Sequence, residues 1–162
     1  MSQENKKIKY VGGFYFSEDF SKVALILKNK PDFLKGQINF IGGKIEENET
    51  SKDAMKREFQ EEANKEINNW TYLYSSNNNH FKIDHYFSYG SMDNIKSMED
   101  EEVLIISVDK ALTYPHNDIF RDAFKKTVNY IYQMDLKNKK TEIQPDKGKH
   151  KEWLASGFKH KR

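Results

Sequence analysis

The stretch GGKIEENETSKDAMKREFQEEANKEI, residues 42–67, joins two glycines and a lysine to a segment with strong helix formers and many carboxylates. Thr50 is a favoured helix N-cap, and Asp53 three residues later completes a weak capping box. The residues AMKREFQEEA that follow include neither Gly nor Pro, so nothing interrupts helical hydrogen bonding. We therefore expect a helix that begins directly after Thr50.

Two faces of this helix differ in chemistry. Apolar residues recur at every fourth position and predict a buried stripe: Met55, Phe59, Ala63 and Ile67. Glu58, Glu61 and Glu62 are spaced i, i+3 and i+4, so their carboxylates fall within an arc of about 100°. A solvated acidic face is the usual interpretation of such a run of charge.

A ligand site is the alternative interpretation of these acids. Gly42, Gly43 and Lys44 lie just upstream, where a loop can bring backbone groups close to a ligand. Clustered hard oxygen ligands are also what Mg²⁺ or Mn²⁺ requires, and a bound cation would offset the repulsion among the acids. The stretch therefore combines groups suited to phosphate with groups suited to a metal.

The same stretch resembles the Nudix box, G-x5-E-x7-R-E-U-x-E-E-x-G-U, in which U is a bulky apolar residue. Seven positions match the pattern: Gly43, Glu49, Arg57, Glu58, Phe59, Glu61 and Glu62. Two positions depart from it, with Asn64 in place of Gly and Lys65 in place of the apolar residue. The Gly ends the helix in a left-handed turn, for which Asn is the next best residue. Ile67 is a candidate to supply the missing apolar contact.

The resemblance implies an enzyme that hydrolyses a nucleoside diphosphate linked to another group X, with a divalent metal as cofactor. It implies the following ligands for Mg²⁺ or Mn²⁺: the carbonyl of Gly42 and the carboxylates of Glu58, Glu61 and Glu62. Arg57 is expected to pair with Glu49 and to hold the catalytic carboxylates, Glu58 and Glu61 among them, because its rigid guanidinium suits that contact.

The general base is left open between a box glutamate and an acid of the loop after residue 90. Glu101 and Glu102 are candidates there, as base or as an additional metal ligand, because some relatives use a loop acid at this place. A solvated loop acid is the simpler interpretation of either residue alone.

A first indication of the substrate comes from QINFIGGK, residues 37–44. It resembles the W-N-G-F-G-G-K stretch of oxidised-purine nucleoside triphosphatases related to MutT, in which the Asn reads the purine edge. Asn39 occupies that position, although it could equally well end a strand. Lys44 is a candidate phosphate contact. The resemblance favours a purine (d)NTP as substrate.

A second indication comes from TYPHND, residues 113–118, where the same relatives have W-P-D-D. Tyr114 is a candidate to stack on the base. His116, Asn117 and Asp118 are candidates to read its edge. The favoured interpretation of Asp118 is simpler, namely the N-cap of the last helix after a proline turn.

Three alternatives stay open: hydrolysis of RNA 5′ ends or caps, hydrolysis of ADP-ribose-type substrates, and a nucleotide-sensing Nudix module without catalysis. Such modules usually lack box acids, which this chain keeps. RNA is suggested by residues 137–162, which hold nine Lys or Arg and three Asp or Glu together with Trp153 and Phe158. That segment carries +6 and leaves −4 for the rest of the chain. A terminus with solvated lysines is the favoured interpretation, with Trp153 as a packing residue.

Length and composition suit one compact domain, because 36% of the 162 residues are hydrophobic. We expect this domain at 1–136, followed by a basic, flexible tail at 137–162. The absence of cysteine excludes disulfides and cysteine zinc sites. No signal peptide or membrane-spanning run is apparent, so we expect a cytoplasmic protein without membrane contact. The oligomeric state is left open. His80 and His85 are expected on a strand as core or edge histidines, and Trp70 is expected to pack.

The remaining elements follow from periodicity: strands 8–16, 22–28, 37–41, 69–76, 80–88 and 103–108, a short turn or helix 109–112, and helix 118–135. The fourth and fifth strands predict an antiparallel hairpin across residues 77–79. The Nudix fold is α/β, a mixed β-sheet sandwiched between helices, and the order of elements agrees with such an α/β/α sandwich. The resemblance thus extends over residues 8–135.

Overall fold

The computed structural model describes residues 7–141, in which a single sheet lies between two α-helices. The elements are β1 Ile8–Ser17, β2 Lys22–Leu27, β3 Ile38–Asn39, β4 Ile41–Lys44, α1 Ser51–Ala63, β5 Thr71–Asn77, β6 Phe81–Gly90, β7 Glu102–Ser107 and α2 Asp118–Thr141. Two short 3₁₀ helices, Asp32–Leu34 and Val108–Thr113, precede β3 and α2.

The sheet is mixed, and its centre is the parallel pair β1 and β6. Every other pairing is antiparallel, including the hairpin β5–β6 that the sequence predicts. β1 pairs with β2 only at Tyr15 and Phe16. Beyond these residues β1 and β2 separate, and β1 pairs with β4 while β2 pairs with β3. The short strands β3 and β4 therefore fill the wedge between β1 and β2.

Two hydrophobic clusters cover the two faces of the sheet. Successive residues of β1 alternate between them, as strand geometry requires: Phe14 and Phe16 pack toward α2, and Tyr15 packs toward α1. Phe59 and Trp70 lie within 5.3 Å of one another, ring centre to ring centre, in the α1 cluster. The structure confirms the predicted α/β/α sandwich and the packing of Trp70.

Helix α1 has the bounds that its sequence predicts. Thr50 precedes it in extended conformation, and its Oγ1 accepts the backbone N–H of Asp53 at 3.1 Å. Four buried residues of α1 form its apolar face: Ala54, Met55, Phe59 and Ala63. Ile67, which follows the helix, is also buried in the same cluster and supplies the apolar contact expected of it.

α1 crosses the sheet over one row of residues, Asp84 on β6, Val11 on β1 and Gly43 on β4, which the strand registers place side by side. Ser51 Oγ donates to Asp84 Oδ2 at 2.7 Å at one end of the row. At the other end, a Cβ on Gly43 would collide with the carboxylate of Glu58. Seven helical residues rise about 10.5 Å, and two strand spacings span about 9.6 Å. Helix and row therefore match in length.

The placement of the glycines corrects the sequence-based expectation. We expected one strand at 37–41 followed by a glycine loop, but Gly42 and Gly43 belong to β4. A Cβ on Gly42 would collide with the carbonyl of Val11, and Gly43 leaves room for Glu58. The glycines thus permit close packing of strand on strand and of helix on strand.

The last helix also differs from its prediction. α2 begins at Asp118 as expected but extends to Thr141, past the predicted end at 135 and past the boundary expected after residue 136. Residues 142–162, with Trp153 and Phe158, lie outside the described part of the chain, so the predictions for them stay predictions. Neither helix within residues 7–141 combines the length and apolar character that crossing a bilayer requires.

Candidate active site

Arg57 on α1 forms a two-pronged ion pair with Glu49 in the preceding loop, as the sequence predicts. Its Nε donates to Glu49 Oε2 at 2.7 Å, and its Nη2 donates to Glu49 Oε1 at 3.0 Å. Glu49 Oε1 also accepts the backbone N–H of Glu46 at 2.9 Å. Hydrogen bonds from Arg57 are the main reason why the pKa of Glu49 lies below its usual value.

The same guanidinium contacts the helix acids and β4. Nη1 donates to Glu58 Oε2 at 3.1 Å and to Glu61 Oε1 at 3.2 Å. Nη2 donates to the carbonyl oxygen of Lys44 at 3.0 Å. One side chain therefore joins the strand, the loop and the helix that the box residues occupy.

The acids on the inner face of α1 are partly withdrawn from water. Burial is the main cause that raises the pKa of Glu58, against the opposing effect of Arg57. Burial, followed by the charges of Glu58 and Glu99, raises the pKa of Glu62 to about 8. Glu62 Oε2 is buried and has no hydrogen-bond partner among the described residues. Such a cluster is deficient in positive charge.

Glu99 is a site residue that the sequence analysis did not single out. It lines, with Glu62 and Glu101, an open cavity of about 320 Å³ beside the inner face of α1. The acidic run SMEDEE, residues 97–102, offers four neighbouring acids with little to distinguish one from another. Only the path of the loop shows that Glu99 faces the helix acids.

The two predicted loop acids lie in different surroundings. Glu101 is buried, with Oε1 accepting from Lys28 Nζ at 2.9 Å and Oε2 accepting from the backbone N–H of Asn29 at 2.7 Å. Burial alone would raise the pKa of Glu101, but these hydrogen bonds outweigh it and lower the pKa. Glu102 is exposed on β7, opposite Leu27.

A second, more apolar cleft of about 460 Å³ lies where β1 and β2 take separate partners. Its walls include Asn39 of β3, Gly42 and Gly43 of β4, and Asn117 beside α2. Apolar side chains complete it, among them Tyr10, Phe33, Phe40, Phe81 and Ile119. Because Gly43 lines this cleft and also packs against Glu58, the cleft adjoins the carboxylate cluster.

The predicted substrate contacts fall partly in this cleft. Asn39 Oδ1 accepts the N–H of Phe40 at 2.9 Å, and Asn117 Oδ1 accepts the N–H of Phe120 at 2.9 Å. Asn117 is therefore the cap of α2, which corrects the assignment of that function to Asp118, the first helical residue. Tyr114 is 40% exposed before α2 and does not line the cleft.

Two further predicted substrate contacts are Lys44, which follows Gly43 on β4, and His116, which precedes α2. Lys44 is exposed at the end of β4, directly after Gly43. His116 contacts the carbonyl oxygen of Tyr114 through Nδ1 at 2.7 Å, so Nε2 is left to accept from Arg121 Nε at 3.2 Å.

The departures from the box pattern are accommodated at the end of α1. Asn64 adopts the left-handed conformation that we expected, with φ 65° and ψ 25°. Lys65 is half-buried, and its Nζ donates to the carbonyls of Ser91 and Asp93.

No three His, Asp or Glu side chains within residues 7–141 are arranged as a ready-made metal site. Arg57 holds one carboxylate oxygen of Glu58 and one of Glu61. Glu61 is half exposed and can turn without disturbing the core.

Comparison with known proteins agrees with this arrangement. The NUDIX domain model matches residues 7–111. No curated protein gives a significant match. Among solved structures, a MutT from work on Aliivibrio salmonicida and Vibrio cholerae is 21% identical, with a TM-score of 0.67, and the alignment covers 75% of this chain and 96% of that one.

Two other solved structures share the fold at lower identity. MutT from Burkholderia pseudomallei is 19% identical, with a TM-score of 0.65, over 74% of this chain and 97% of that one. The NUDIX domain of Shewanella oneidensis NrtR, complexed with ADP ribose, is 15% identical, with a TM-score of 0.68, over 77% and 88%. Since the NUDIX match spans most of the chain and includes every acid that Arg57 contacts, this protein belongs to the Nudix family, as a hydrolase of pyrophosphate bonds.

Proposed function

We propose that the protein is a divalent-metal-dependent pyrophosphohydrolase of purine (d)NTPs. The observation that carries the proposal is the position of Gly43, which lines the apolar cleft and underlies Glu58. A base bound in the cleft would place its phosphates beside the carboxylate cluster. Family membership supports the type of bond cleaved, and the cleft supports the type of substrate.

The acidic cluster fits Mg²⁺ or Mn²⁺. The proposed ligands are hard oxygens, which these cations prefer: the Gly42 carbonyl and the carboxylates of Glu58, Glu61 and Glu62. The unpartnered Glu62 Oε2 and the raised pKa values of Glu58 and Glu62 both indicate a place where positive charge would be stabilising. When bound, the cation supplies charge that polarises a phosphoryl oxygen and activates water.

The chain's own residues would do the remaining work by positioning. Arg57 holds Glu58 and Glu61 near one another, and Glu49 fixes the plane of its guanidinium. Because these contacts form on folding, little reorganisation is needed at the moment of reaction. Lys44, exposed beside Gly43, is proposed to contact a phosphate oxygen.

The general base is proposed to be a glutamate of the box or Glu99. Both carboxylate oxygens of Glu101 already accept hydrogen bonds, so Glu101 is better suited to hold Lys28 and the loop after β2. Glu102 is exposed on β7 and has a simpler interpretation as a solvated acid.

Asn39 and Asn117 are proposed to read the base. The side-chain oxygen of each accepts a backbone N–H, so each amide has its NH₂ group left to donate. Donors suit the O6 and N7 acceptors of guanine better than the N6 amino group of adenine. We therefore expect guanine nucleotides to be turned over faster than adenine nucleotides.

A nucleotide panel with Mg²⁺, with products resolved by chromatography, tests the proposal. We expect turnover of purine (d)NTPs and a loss of about 100-fold or more for Glu61→Gln. Glu47→Gln, the same change at an exposed acid in the loop before α1, is the control. No turnover of any nucleotide, with Glu61→Gln behaving like the unchanged protein, would overturn the proposal.

ADP-ribose is a second candidate substrate, favoured by the likeness in fold to the NrtR domain complexed with ADP ribose. It carries adenine, so its place in the same panel separates the two candidates. Faster turnover of ADP-ribose than of any (d)NTP would favour it. Tight binding of a nucleotide without product would instead indicate a sensing module.

A further inference from the structure

The loop between β6 and β7 is fastened to the end of α1 by hydrogen bonds. The N–H of Lys96 donates to the carbonyl of Ala63 at 3.2 Å, and the N–H of Met98 donates to the carbonyl of Glu62 at 3.1 Å. The last carbonyls of a helix have no partner inside the helix. The loop therefore supplies partners that the end of α1 requires.

Two side chains at the helix end complete the attachment. Asn64 Nδ2 donates to the carbonyl of Asn94 at 3.2 Å. Lys65 Nζ donates to the carbonyls of Ser91 and Asp93, and it lies 5.7 Å from the ring centre of Tyr15. Tyr15 in turn donates its hydroxyl to the carbonyl of Ser91 at 2.9 Å.

Asn64 and Lys65 are the two positions at which this chain departs from the Nudix box. Glycine would adopt the left-handed turn at position 64 but has no amide to donate. An apolar residue at position 65 would have no N–H to offer the loop carbonyls. Both departures thus add donors, and both donors bind the same loop.

The fastened loop carries Glu99, the residue after Met98. Glu99 lines the cavity that Glu62 also lines, so two acids face each other there. Like charges at short range repel, and a free loop would carry its acid away from the helix. Hydrogen bonds to the neighbouring backbone oppose that separation.

We propose that Asn64 and Lys65 are positioning residues, which hold the β6–β7 loop so that Glu99 joins the metal-binding carboxylates. The inference rests on the metal site proposed above. It explains the two departures from the family pattern, because both residues at the end of α1 hold the loop that carries an additional acid, Glu99.

The test restores the family residues in the double variant Asn64→Gly/Lys65→Leu, which keeps a glycine suited to the turn. Mn²⁺ affinity is measured without nucleotide from the electron paramagnetic resonance signal of free Mn²⁺. The hydrogen exchange rates of the Lys96 and Met98 backbone amides are measured by NMR. We expect affinity to fall about tenfold, as for other outer-shell contacts, and the two amides to exchange faster. Lys52→Leu, which removes an exposed lysine of α1, is the control.

A second comparison tests whether the loss of Mn²⁺ affinity depends on the carboxylate of Glu99. In a Glu99→Gln background the double substitution should change Mn²⁺ affinity no further, because the carboxylate that it positions is gone. An equal additional loss, or unchanged affinity and exchange in the double variant, would overturn the inference. If the unchanged protein failed to bind Mn²⁺, both the metal site and this inference would fall. Lack of nucleotide turnover alone would overturn only the proposed substrate.

Discussion

Arg57 is the residue on which the carboxylate cluster depends, because its guanidinium contacts Glu49, Glu58 and Glu61 at once. Lysine could match its charge but not its fork of donors. Without that fork, Glu58 and Glu61 would lose the partner that offsets their repulsion. The arrangement of the acids thus follows from the geometry of one side chain.

Arg57→Lys should lower kcat by about 10- to 100-fold, a range typical of contacts that orient metal ligands. KM should change little, since Arg57 does not line the apolar cleft that is proposed to bind the base. Steady-state kinetics with the best nucleotide of the panel would measure both quantities. The same change at Arg121, exposed on α2, is the control, and a rise in KM at constant kcat would contradict the expectation.

His85 is a buried histidine on β6, on the face of the sheet that α2 covers, and it affects how stability depends on pH. Its ring stacks on Tyr74 at 4.7 Å, its Nε2 contacts Ser76 Oγ at 2.7 Å, and its Nδ1 has no hydrogen-bond partner among the described residues. Burial lowers its pKa from 6.5 to about 4. Folding therefore favours the neutral ring.

The contribution of His85 to the free energy of unfolding should consequently decrease as the pH falls from 6.5 toward 4, since the unfolded chain takes up the proton first. The raised pKa of Glu62 acts in the opposite direction over the same range. The expected loss from His85 is about 3 kcal/mol at pH 4 and none above pH 7. Urea unfolding at a series of pH values would measure it. His85→Phe keeps a ring against Tyr74, so the difference between its profile and that of the unchanged protein should show this loss; identical profiles would contradict the assignment.

At the scale of elements, the position of α1 depends on a polar contact as well as on its apolar face. Ser51 Oγ donates to Asp84, and the same oxygen lies 2.8 Å from the hydroxyl of Tyr86. These contacts fix the start of the helix over β6. Seven residues later the helix brings Glu58 over Gly43, so an error at the start would displace the acids.

Ser51→Ala should lower the free energy of unfolding by about 1–3 kcal/mol, because it leaves the carboxylate of Asp84 with one hydrogen bond fewer. It should also lower kcat more than it changes KM. Chemical denaturation and kinetics on the same samples would show both effects. Lys52→Ala, one residue later and exposed, serves as the control, and equal behaviour of the two variants would contradict the expectation.

The elements also show what sequence could predict. α1 and its cap were predictable because Thr50, the helix formers and the apolar stripe act locally. The placement of Gly42 and Gly43 within β4 was not, because it depends on the carbonyl of Val11 and on Glu58, which are distant in sequence. Glu99 was missed for the same reason, since its position is set by hydrogen bonds to the end of α1.

At the scale of the whole molecule, the carboxylate cluster and the cleft proposed to bind the base lie beside one wedge in the sheet. The acids lie on the α1 side, and the cleft is bounded by β1, β3, β4 and the start of α2. The acids and cleft residues named above lie within residues 7–141. The family match, which ends at residue 111, likewise leaves the end of the chain outside.

Removal of residues 142–162 should therefore leave turnover of free nucleotides unchanged. Full-length and truncated protein would be compared on one purine (d)NTP and on a 5′-triphosphorylated RNA, at low and at moderate salt. A loss on RNA alone would favour the RNA alternative, because a basic segment binds phosphates in a salt-dependent manner. Equal loss on both substrates would contradict the assignment of the site to residues 7–141.

The parallel pair at the centre of the sheet has a consequence for how the protein is made. Ile8 pairs with Phe81, 73 positions later, so β1 is translated long before the strand that borders it. At about 5–20 residues per second, synthesis leaves an interval of about 4–15 s between them. Once α1 has been made, its apolar face lacks a completed sheet to pack against until β6 follows. The acids of α1 are thus made before the sheet that supports them is complete, and a nascent chain stalled before residue 90 would be exposed to chaperones and to aggregation.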